Sequence, residues 1–232
     1  MKLASGSRNS FLEVQALRLF RLRKAWHLYF THDPHCPKRI AMILGCQRSG
    51  TSLLNHVFRL DLDCIAYEEL SVLSDRDTQE GGFLLNPLDE VRARLLRDRA
   101  PLVVFKPLVE SQRAHELLDG LPDSRAIWAY RHYKDVARSN VRFFDRPRNS
   151  LRDLEPIVAG DDANWRCQNL SEPSRATVRE LYAPDMDPHA AAALFWWARN
   201  RLYFEHALDR DPRVTLCRYD DLATDPAATA RR

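Results

Sequence analysis

The feature that most constrains the fold is the stretch of residues 39–56, RIAMILGCQRSGTSLLNH. Its apolar run at 40–44 predicts a buried strand, the glycine-bounded segment 45–50 predicts a loop, and residues 51–54 begin a helix. In this arrangement, backbone N–H groups and a helix N-terminus can bind phosphate-like anions. The sequence therefore predicts an anion site at the loop, although an ordinary strand–helix turn would contain the same glycines.

The loop only partly fits the nucleotide-binding template G-x-x-x-x-G-K-[ST]. Gly45, Gly50 and Ser52 match the template. Thr51 stands at the lysine position, and the nearest cation inside the loop is Arg48. Nucleoside-triphosphate hydrolases and kinases use that lysine on the β- and γ-phosphates. We therefore expect a loop that holds a phosphate-like group but is poorly suited to ATP chemistry.

Strand and helix patterns alternate along the rest of the chain. Further strands are predicted at 64–67, 102–105, 126–130 and 214–219. Helices are predicted at 51–60, 89–99, 110–118, 135–144, 174–182 and 188–206. This alternation indicates a three-layer α/β fold with a mainly parallel central sheet flanked by helices. Residues 71–88, which contain two glycines and a proline, are predicted to be an irregular excursion near the site.

Polar side chains follow the predicted strands at the point where each strand ends. Ligands of parallel sheets bind outside the carboxyl ends of the strands, so these side chains are expected to converge on one edge. They are Arg48, Ser49, Glu68, Glu69, Lys106, Arg131, Tyr219 and Asp220. Each alone would be an ordinary solvated strand end, but together they predict a functional site.

A second candidate anion site follows the strand at 126–130. Arg131 ends this strand, and Ser139 lies eight residues further on, in the next predicted helix. The arginine fork and the serine hydroxyl can approach one phosphate from two sides. Two such sites imply a ligand with two separated phosphate-type groups.

Four segments carry a resemblance to a known family. QRSGTSLL (47–54) and AYRHYKDVARSNVRF (129–143) are similar to the 5′-phosphosulfate loop and the 3′-phosphate motif of sulfotransferases that use 3′-phosphoadenosine 5′-phosphosulfate (PAPS). YEEL (67–70) and CRYDDLATDP (217–226) resemble two further elements of that family. The segments occur in the family's order. The resemblance implies a P-loop-like sulfotransferase fold and sulfuryl transfer to a hydroxyl or amine by in-line displacement.

The resemblance also implies roles for individual residues. Glu68, rather than Glu69, matches the glutamate expected as general base, although both could simply stabilise the start of a helix. Arg48 would neutralise charge on the transferred group and the leaving phosphate. Apart from the resemblance, Lys106 could assist the leaving oxygen, touch the acceptor or be an ordinary strand-end charge. The donor-binding residues would be Gln47, Arg48, Ser49, Gly50, Thr51, Ser52, Arg131 and Ser139. The scheme requires no metal, and no His/Cys/Asp spacing typical of a metal site is apparent.

The resemblance divides the chain into an N-terminal helix and linker (1–38) and a sulfotransferase domain (39–232). Tyr133 stands where family members often have proline. The chain stops at Arg232, sooner after the last motif than family members usually do, so we expect a short or C-terminally truncated member.

Two other functions are also compatible with the sequence. The first is a P-loop small-molecule kinase, for which Asp220 and Asp221 are the best candidate magnesium carboxylates. The second is a non-catalytic relative that binds nucleotide or a partner. Retained nucleotide binding without transfer would identify the second.

Composition limits the classes of binding partner and the cellular location that the sequence favours. The net charge of +3 is too small for a dedicated nucleic-acid binder. Five cysteines without C-x-x-C spacing favour a reducing compartment, hence a cytoplasmic location. No apolar run is long enough to span a membrane, but residues 11–30 predict a basic amphipathic helix that docks on the domain or contacts a membrane surface.

The acceptor is not specified by the sequence. Sugar, lipid, phenol and peptide hydroxyls all fit, and segments 71–88 and 145–187 are expected to shape its pocket. Candidate aromatic lining residues are Phe143, Phe144, Trp165, Trp196 and Trp197.

Overall fold

The computed structural model describes residues 5–33, 35–77, 82–144 and 149–229. Its strands are β1 (Arg39–Gly45), β2 (Cys64–Tyr67), β3 (Ser74–Asp77), β4 (Gly82–Leu85), β5 (Leu102–Phe105), β6 (Ser124–Tyr130) and β7 (Val214–Arg218). Five of them form a parallel sheet in the order β2-β5-β1-β6-β7. The predicted α/β fold with a mainly parallel central sheet is confirmed.

Helices cover both faces of this sheet. They are α1 (Ser5–Thr31), α2 (Thr51–Leu60), α3 (Leu88–Leu96), α4 (Ala114–Gly120), α5 (Tyr133–Phe144), α6 (Asn149–Arg152), α7 (Glu155–Ala159), α8 (Glu172–Leu181), α9 (Pro188–Glu205), α10 (Tyr219–Thr224) and α11 (Pro226–Thr229). The helix predicted over 110–118 is wrong in its first part. There a 3₁₀ helix, Leu108–Arg113, follows Pro107 and precedes α4.

The sheet separates two hydrophobic clusters. Successive side chains of β1 point to opposite faces, so Met42 and Leu44 join the larger cluster while Ile43 joins the smaller one. Phe195 of α9 packs in the larger cluster, and Leu54 of α2 packs in the smaller one. Burial on both faces explains why the central strands are apolar runs rather than alternating sequences.

The long helix α9 begins where the sequence predicts. The Asp187 carboxylate accepts hydrogen bonds from the N–H groups of His189 (2.8 Å) and Ala190 (3.2 Å). Pro188 occupies the first turn, where its missing N–H costs nothing. This cap fixes the start of the helix that supports the back of the site described below.

The segment predicted to be irregular, 71–88, contains a regular element instead. β3 and β4 pair as an antiparallel two-stranded ribbon, with Ser74 opposite Leu85. Residues 78–81, at its tip, lie outside the described residues. No strand was predicted here because the sequence of β3, Ser-Asp-Arg-Asp, has no apolar alternation.

Helix α1 contacts the α/β unit through one face of its C-terminal half. Lys24 donates to the carbonyl of Arg59 at 2.7 Å, and Leu28 is buried. Arg99 donates to the carbonyl of Tyr29 at 3.1 Å and lies over its ring. None of the helices in the described ranges is long and apolar enough to cross a membrane.

Candidate functional site

The loop between β1 and α2 depends on two glycines. Gly45 has φ +122°, and a Cβ there would lie 2.6 Å from the carbonyl oxygen of Ala129. Gly50 has φ +88°, and a Cβ there would lie 2.3 Å from the ring of Tyr219. Both positions therefore exclude any side chain. Arg48, between them, is itself left-handed at φ 66°.

The loop presents the N-terminus of α2 to an open cleft. The first hydrogen bond of the helix runs from the N–H of Leu54 to the carbonyl of Gly50 at 3.0 Å. The preceding N–H groups of the first turn have no intrahelical acceptor and are available to an anion. The Ser52 hydroxyl, at the same end, accepts a hydrogen bond from Lys106 at 3.2 Å.

The cleft has a volume of about 890 Å³ and lies at the carboxyl edge of the sheet. It brings together most of the residues predicted from sequence: Gln47, Arg48, Gly50, Thr51, Ser52, Lys106, Arg131 and Ser139. Ser49 is buried and Glu68 lies beside the cleft, so neither lines it, whereas Glu69 and Tyr219 do. Residues that follow β1, β2, β5, β6 and β7 thus meet at this cleft, whereas Asp220 does not line it.

The two predicted anion sites meet directly. Arg48 Nε donates to Ser139 Oγ at 3.1 Å, which joins the first loop to helix α5. The guanidinium of Arg131 lies 4.0 Å from the ring centre of Tyr219, and that of Arg48 lies 3.9 Å from that of Phe143. Burial and, secondarily, the charge of Arg131 lower the pKa of Arg48. Two cations therefore share this end of the cleft and repel each other.

Arg131 also has an unused donor. Its Nε is buried and has no hydrogen-bond partner within the described part of the chain. The carbonyl of Arg131 accepts from Trp196 Nε1 at 3.0 Å, so the backbone of this residue is held in place. A buried donor without an acceptor is costly, and an anionic ligand would satisfy it.

On the opposite side of the loop, Lys106 pairs with two carboxylates. Its ammonium lies 3.1 Å from Glu68 and 3.8 Å from Glu69, and it is only 5% exposed. Glu68 also contacts Arg59 at 3.2 Å. Burial alone would raise the pKa of Glu68, but the charge and hydrogen bond of Lys106, helped by Arg59, lower it.

The neighbouring carboxylate differs. Burial raises the pKa of Glu69, against the lowering effect of Lys106, and the charge of Glu68 raises it further. Glu69 lines the cleft and Glu68 does not. Of the two carboxylates paired with Lys106, Glu69 is therefore the more easily protonated.

Several residues of the site were missed from sequence. Asp153 lines the cleft and accepts from Gln47 Nε2 (3.2 Å) and Arg166 Nε (2.8 Å), so it holds the start of the loop. Ser111 accepts from the N–H of Gly45 at 2.9 Å. Nothing in the local sequence marks the Gly45–Ser111 and Gln47–Asp153 contacts, because each joins segments more than sixty residues apart.

The segments expected to shape an acceptor pocket do line the cleft, with the charged residues Arg152, Glu155 and Arg166 as well as apolar ones. Phe83 belongs to β4, and Pro156 and Trp165 belong to the predicted 145–187 region, of which residues 145–148 lie outside the described residues. Phe143 and Phe144 line the cleft as expected. Trp196 and Trp197, which belong to α9, do not line it. Trp196 packs against Tyr130 and Tyr133, and Trp197 packs against the larger core cluster.

The fold also creates a cluster of potential metal ligands that the sequence did not indicate. The sequence suggested no cluster of metal-ligating side chains, but the fold brings His27, His32 and Asp63 together, with their ligand atoms within 4.8 Å of one another. This group lies on α1 and the α2–β2 connection and shares no residue with the cleft.

Comparisons with known proteins give matches among solved structures alone. No protein-family model and no curated protein sequence matches this chain. Among solved structures, the sulfotransferase domain from the Synechococcus PCC 7002 olefin synthase is similar with a TM-score of 0.49 and 14% identity, over 84% of this chain and 70% of that domain. A likeness this distant identifies neither the family nor the activity of the chain.

Proposed function

We propose that this protein is a PAPS-dependent sulfotransferase. The observation that supports this most strongly is the hydrogen bond from Arg48 to Ser139, because it joins the two segments that resemble the 5′-phosphosulfate loop and the 3′-phosphate motif. The cradle at α2, the paired cations and the unsatisfied Nε of Arg131 all favour an anionic ligand. They fit a donor with phosphate-type groups at both ends.

Each part of the cleft has a role in this proposal. The loop residues from Gln47 to Ser52 would hold the 5′ end of the donor with backbone and hydroxyl donors, and Arg131 with Ser139 would hold its 3′-phosphate. When bound, PAPS would supply the sulfuryl group, which passes to an acceptor oxygen as its bond to the phosphate oxygen breaks. Arg48 and Lys106 would offset the negative charge on the transferred group and the leaving oxygen.

The decisive experiment is calorimetric titration with 3′-phosphoadenosine 5′-phosphate (PAP), AMP and ATP–Mg²⁺. We expect PAP to bind and ATP–Mg²⁺ not to bind. Arg131→Ala should weaken PAP binding roughly 10- to 100-fold, since a charged hydrogen-bonding partner is lost. AMP lacks the 3′-phosphate, so its weaker binding should change little in the variant.

Other results of this titration would favour one of the two alternative functions. Binding of ATP–Mg²⁺ with indifference to the 3′-phosphate would favour the kinase alternative. Asp220 and Asp221, the carboxylates that such an enzyme would need, do not line the cleft. Tight PAP binding without transfer to any acceptor would favour the non-catalytic relative.

The general base is proposed to come from the carboxylate pair beside Lys106. The resemblance favours Glu68, whereas the cleft geometry favours Glu69, which lines the cleft and has the raised pKa. We expect Glu69→Gln to lower the transfer rate by roughly 10²–10⁴ and Glu68→Gln to lower it less. Rates with a panel of hydroxyl acceptors, at saturating PAPS, measure this. A larger loss of rate in Glu68→Gln would identify Glu68 as the general base. Near-normal rates in both variants would show that neither glutamate acts as the base.

The acceptor would enter along the aromatic side chains of the cleft. Phe83, Phe143 and Phe144 offer flat, largely hydrophobic surfaces. Trp165 is nearly buried, and its Nε1 has no partner in the described ranges. These features suit a small molecule, carbohydrate or lipid that carries a hydroxyl on an apolar or ring-shaped body.

Peripheral membrane contact through α1 remains part of the proposal. Four apolar side chains, each 63–68% exposed, lie within about 100° of the helix circumference, on the side away from the docked face. They are Leu19, Leu22, Trp26 and Phe30. Arg18 and Arg23, both exposed, flank this strip, and basic side chains beside exposed apolar ones favour contact with an anionic lipid surface.

Sedimentation with lipid vesicles tests this contact. We expect the protein to bind vesicles containing anionic lipid more strongly than neutral ones, and Leu22→Glu with Trp26→Glu to abolish this binding, because two charges would enter the apolar strip. Leu181→Glu is the matched control, since Leu181 is similarly exposed but lies on α8. Equal binding by all three proteins would exclude α1 as the membrane contact.

A further inference from the structure

The end of α1 and the connection between α2 and β2 meet at three side chains that can all bind a metal. His27 Nε2 lies 2.6 Å and His32 Nε2 lies 2.8 Å from the same carboxylate oxygen, Asp63 Oδ1. The two imidazole rings are 5.6 Å apart and nearly perpendicular. Three potential ligand atoms thus point at one small volume.

The backbone around these side chains is fixed on both sides. The N–H of Asp63 donates to Asp61 Oδ1 at 2.8 Å, and the carbonyl of Asp63 accepts from the N–H of Leu102 at 3.3 Å. Thr31 donates to the carbonyl of His27, and Arg99 donates to that of His32. The side chains therefore need little rearrangement of the main chain to take up ligand geometry.

The donor set selects the kind of ion. Two imidazole nitrogens and one carboxylate oxygen suit Zn²⁺ and neighbouring transition metals, whereas Mg²⁺ and Ca²⁺ prefer oxygen ligands alone. Zinc bonds of about 2.0–2.2 Å place tetrahedral ligands roughly 3.3 Å apart. The present separations are those of hydrogen bonds, and a small rotation of Asp63, which is 56% exposed, would open them to that spacing.

We propose that His27, His32 and Asp63 form a binding site for a Zn²⁺-class ion, with water in the remaining position. The site would be structural, because it is distinct from the cleft and connects α1 to the body of the domain. It does not depend on the proposed transferase activity. Its consequence is that the position of α1 would respond to the supply of metal.

The test uses tag-free full-length protein. Isothermal titration with Zn²⁺ is expected to show one equivalent bound, accompanied by a rise in the melting temperature. Co²⁺ should give the visible absorption of a four-coordinate site. The double variant His27→Ala, His32→Ala is expected to lose all three signals, and His56→Ala, which removes an exposed histidine of α2, should keep them.

The result that overturns the proposal is equally plain. Absence of stoichiometric Zn²⁺ binding by the wild-type protein, or equal binding by the double variant, would leave the cluster as a set of hydrogen bonds that docks α1. Should the double variant not fold, Asp63→Asn provides the second comparison. It retains the residue's size and a hydrogen-bonding oxygen but removes the charged ligand, so unchanged Zn²⁺ affinity in it would also contradict the site.

Discussion

Replacing Arg48 by alanine is expected to lower sulfuryl transfer by roughly 10²–10³-fold while leaving the fold intact. The Arg48 guanidinium donates a hydrogen bond to Ser139 of the second predicted anion site, and the backbone of Arg48 belongs to the loop that forms the first. No other cation bridges the two anion sites within the described ranges. Loss of the Arg48 side chain would therefore remove charge stabilisation from the transferred group and the leaving oxygen. The measurement is steady-state transfer, with PAP affinity measured alongside.

Two further variants make this result specific. Arg48→Lys should retain part of the activity, since it preserves the charge but loses the planar fork. Arg138→Ala, which removes an exposed arginine of the adjoining helix α5, should leave both rate and affinity unchanged. Wild-type rate and PAP affinity in Arg48→Ala would show that the loop does not contact the transferred group.

The second large effect concerns stability. Arg199→Met is expected to lower the free energy of unfolding by about 3 kcal/mol, because several buried acceptors lose their donor at once. Arg199 is 2% exposed and donates to the carbonyls of Leu108 (3.1 Å) and Trp165 (3.3 Å) and to the side chain of Gln112. Burial lowers its pKa to about 10, so it remains charged at neutral pH. Urea unfolding measures the change.

Arg201→Met is the matched control for this effect. Arg201 lies two residues further along α9, is 44% exposed and faces Glu205 at 3.5 Å. Its replacement should change the free energy of unfolding by no more than about 0.5 kcal/mol. Similar stabilities for both variants would mean that the contacts of Arg199 add little. Since Leu108 and Trp165 line the cleft, we also expect Arg199→Met to weaken PAP binding.

Much of the fold could be predicted because its signals are local. The strand β1 is a continuous apolar run, and α9 carries its own cap at Asp187 and a proline in its first turn. The carboxyl ends of parallel strands all lie at the same edge of the sheet. Arg48, Lys106 and Arg131, which follow such ends, could therefore be assigned to one cleft without knowing any distance.

The parts that could not be predicted depend on tertiary contacts. The His27–Asp63 and Gln47–Asp153 contacts join segments with no shared periodicity or spacing. β3 has a polar sequence, and its partner β4 is held by a tertiary contact, the hydrogen bond from the N–H of Leu85 to Glu110. Burial distinguishes Glu68 from Glu69, and adjacent identical residues carry no such information in sequence.

The order of strands in the sheet has a consequence for how the protein is made. β1 lies at the centre, yet its neighbours are β5 and β6, which come much later in the chain. Gly45, which begins the loop, pairs with Ala129, and Gly50 is covered by Tyr219. During synthesis the loop would therefore emerge long before the segments that hold it. We expect refolding in milliseconds to seconds rather than microseconds, with donor affinity among the last properties to appear.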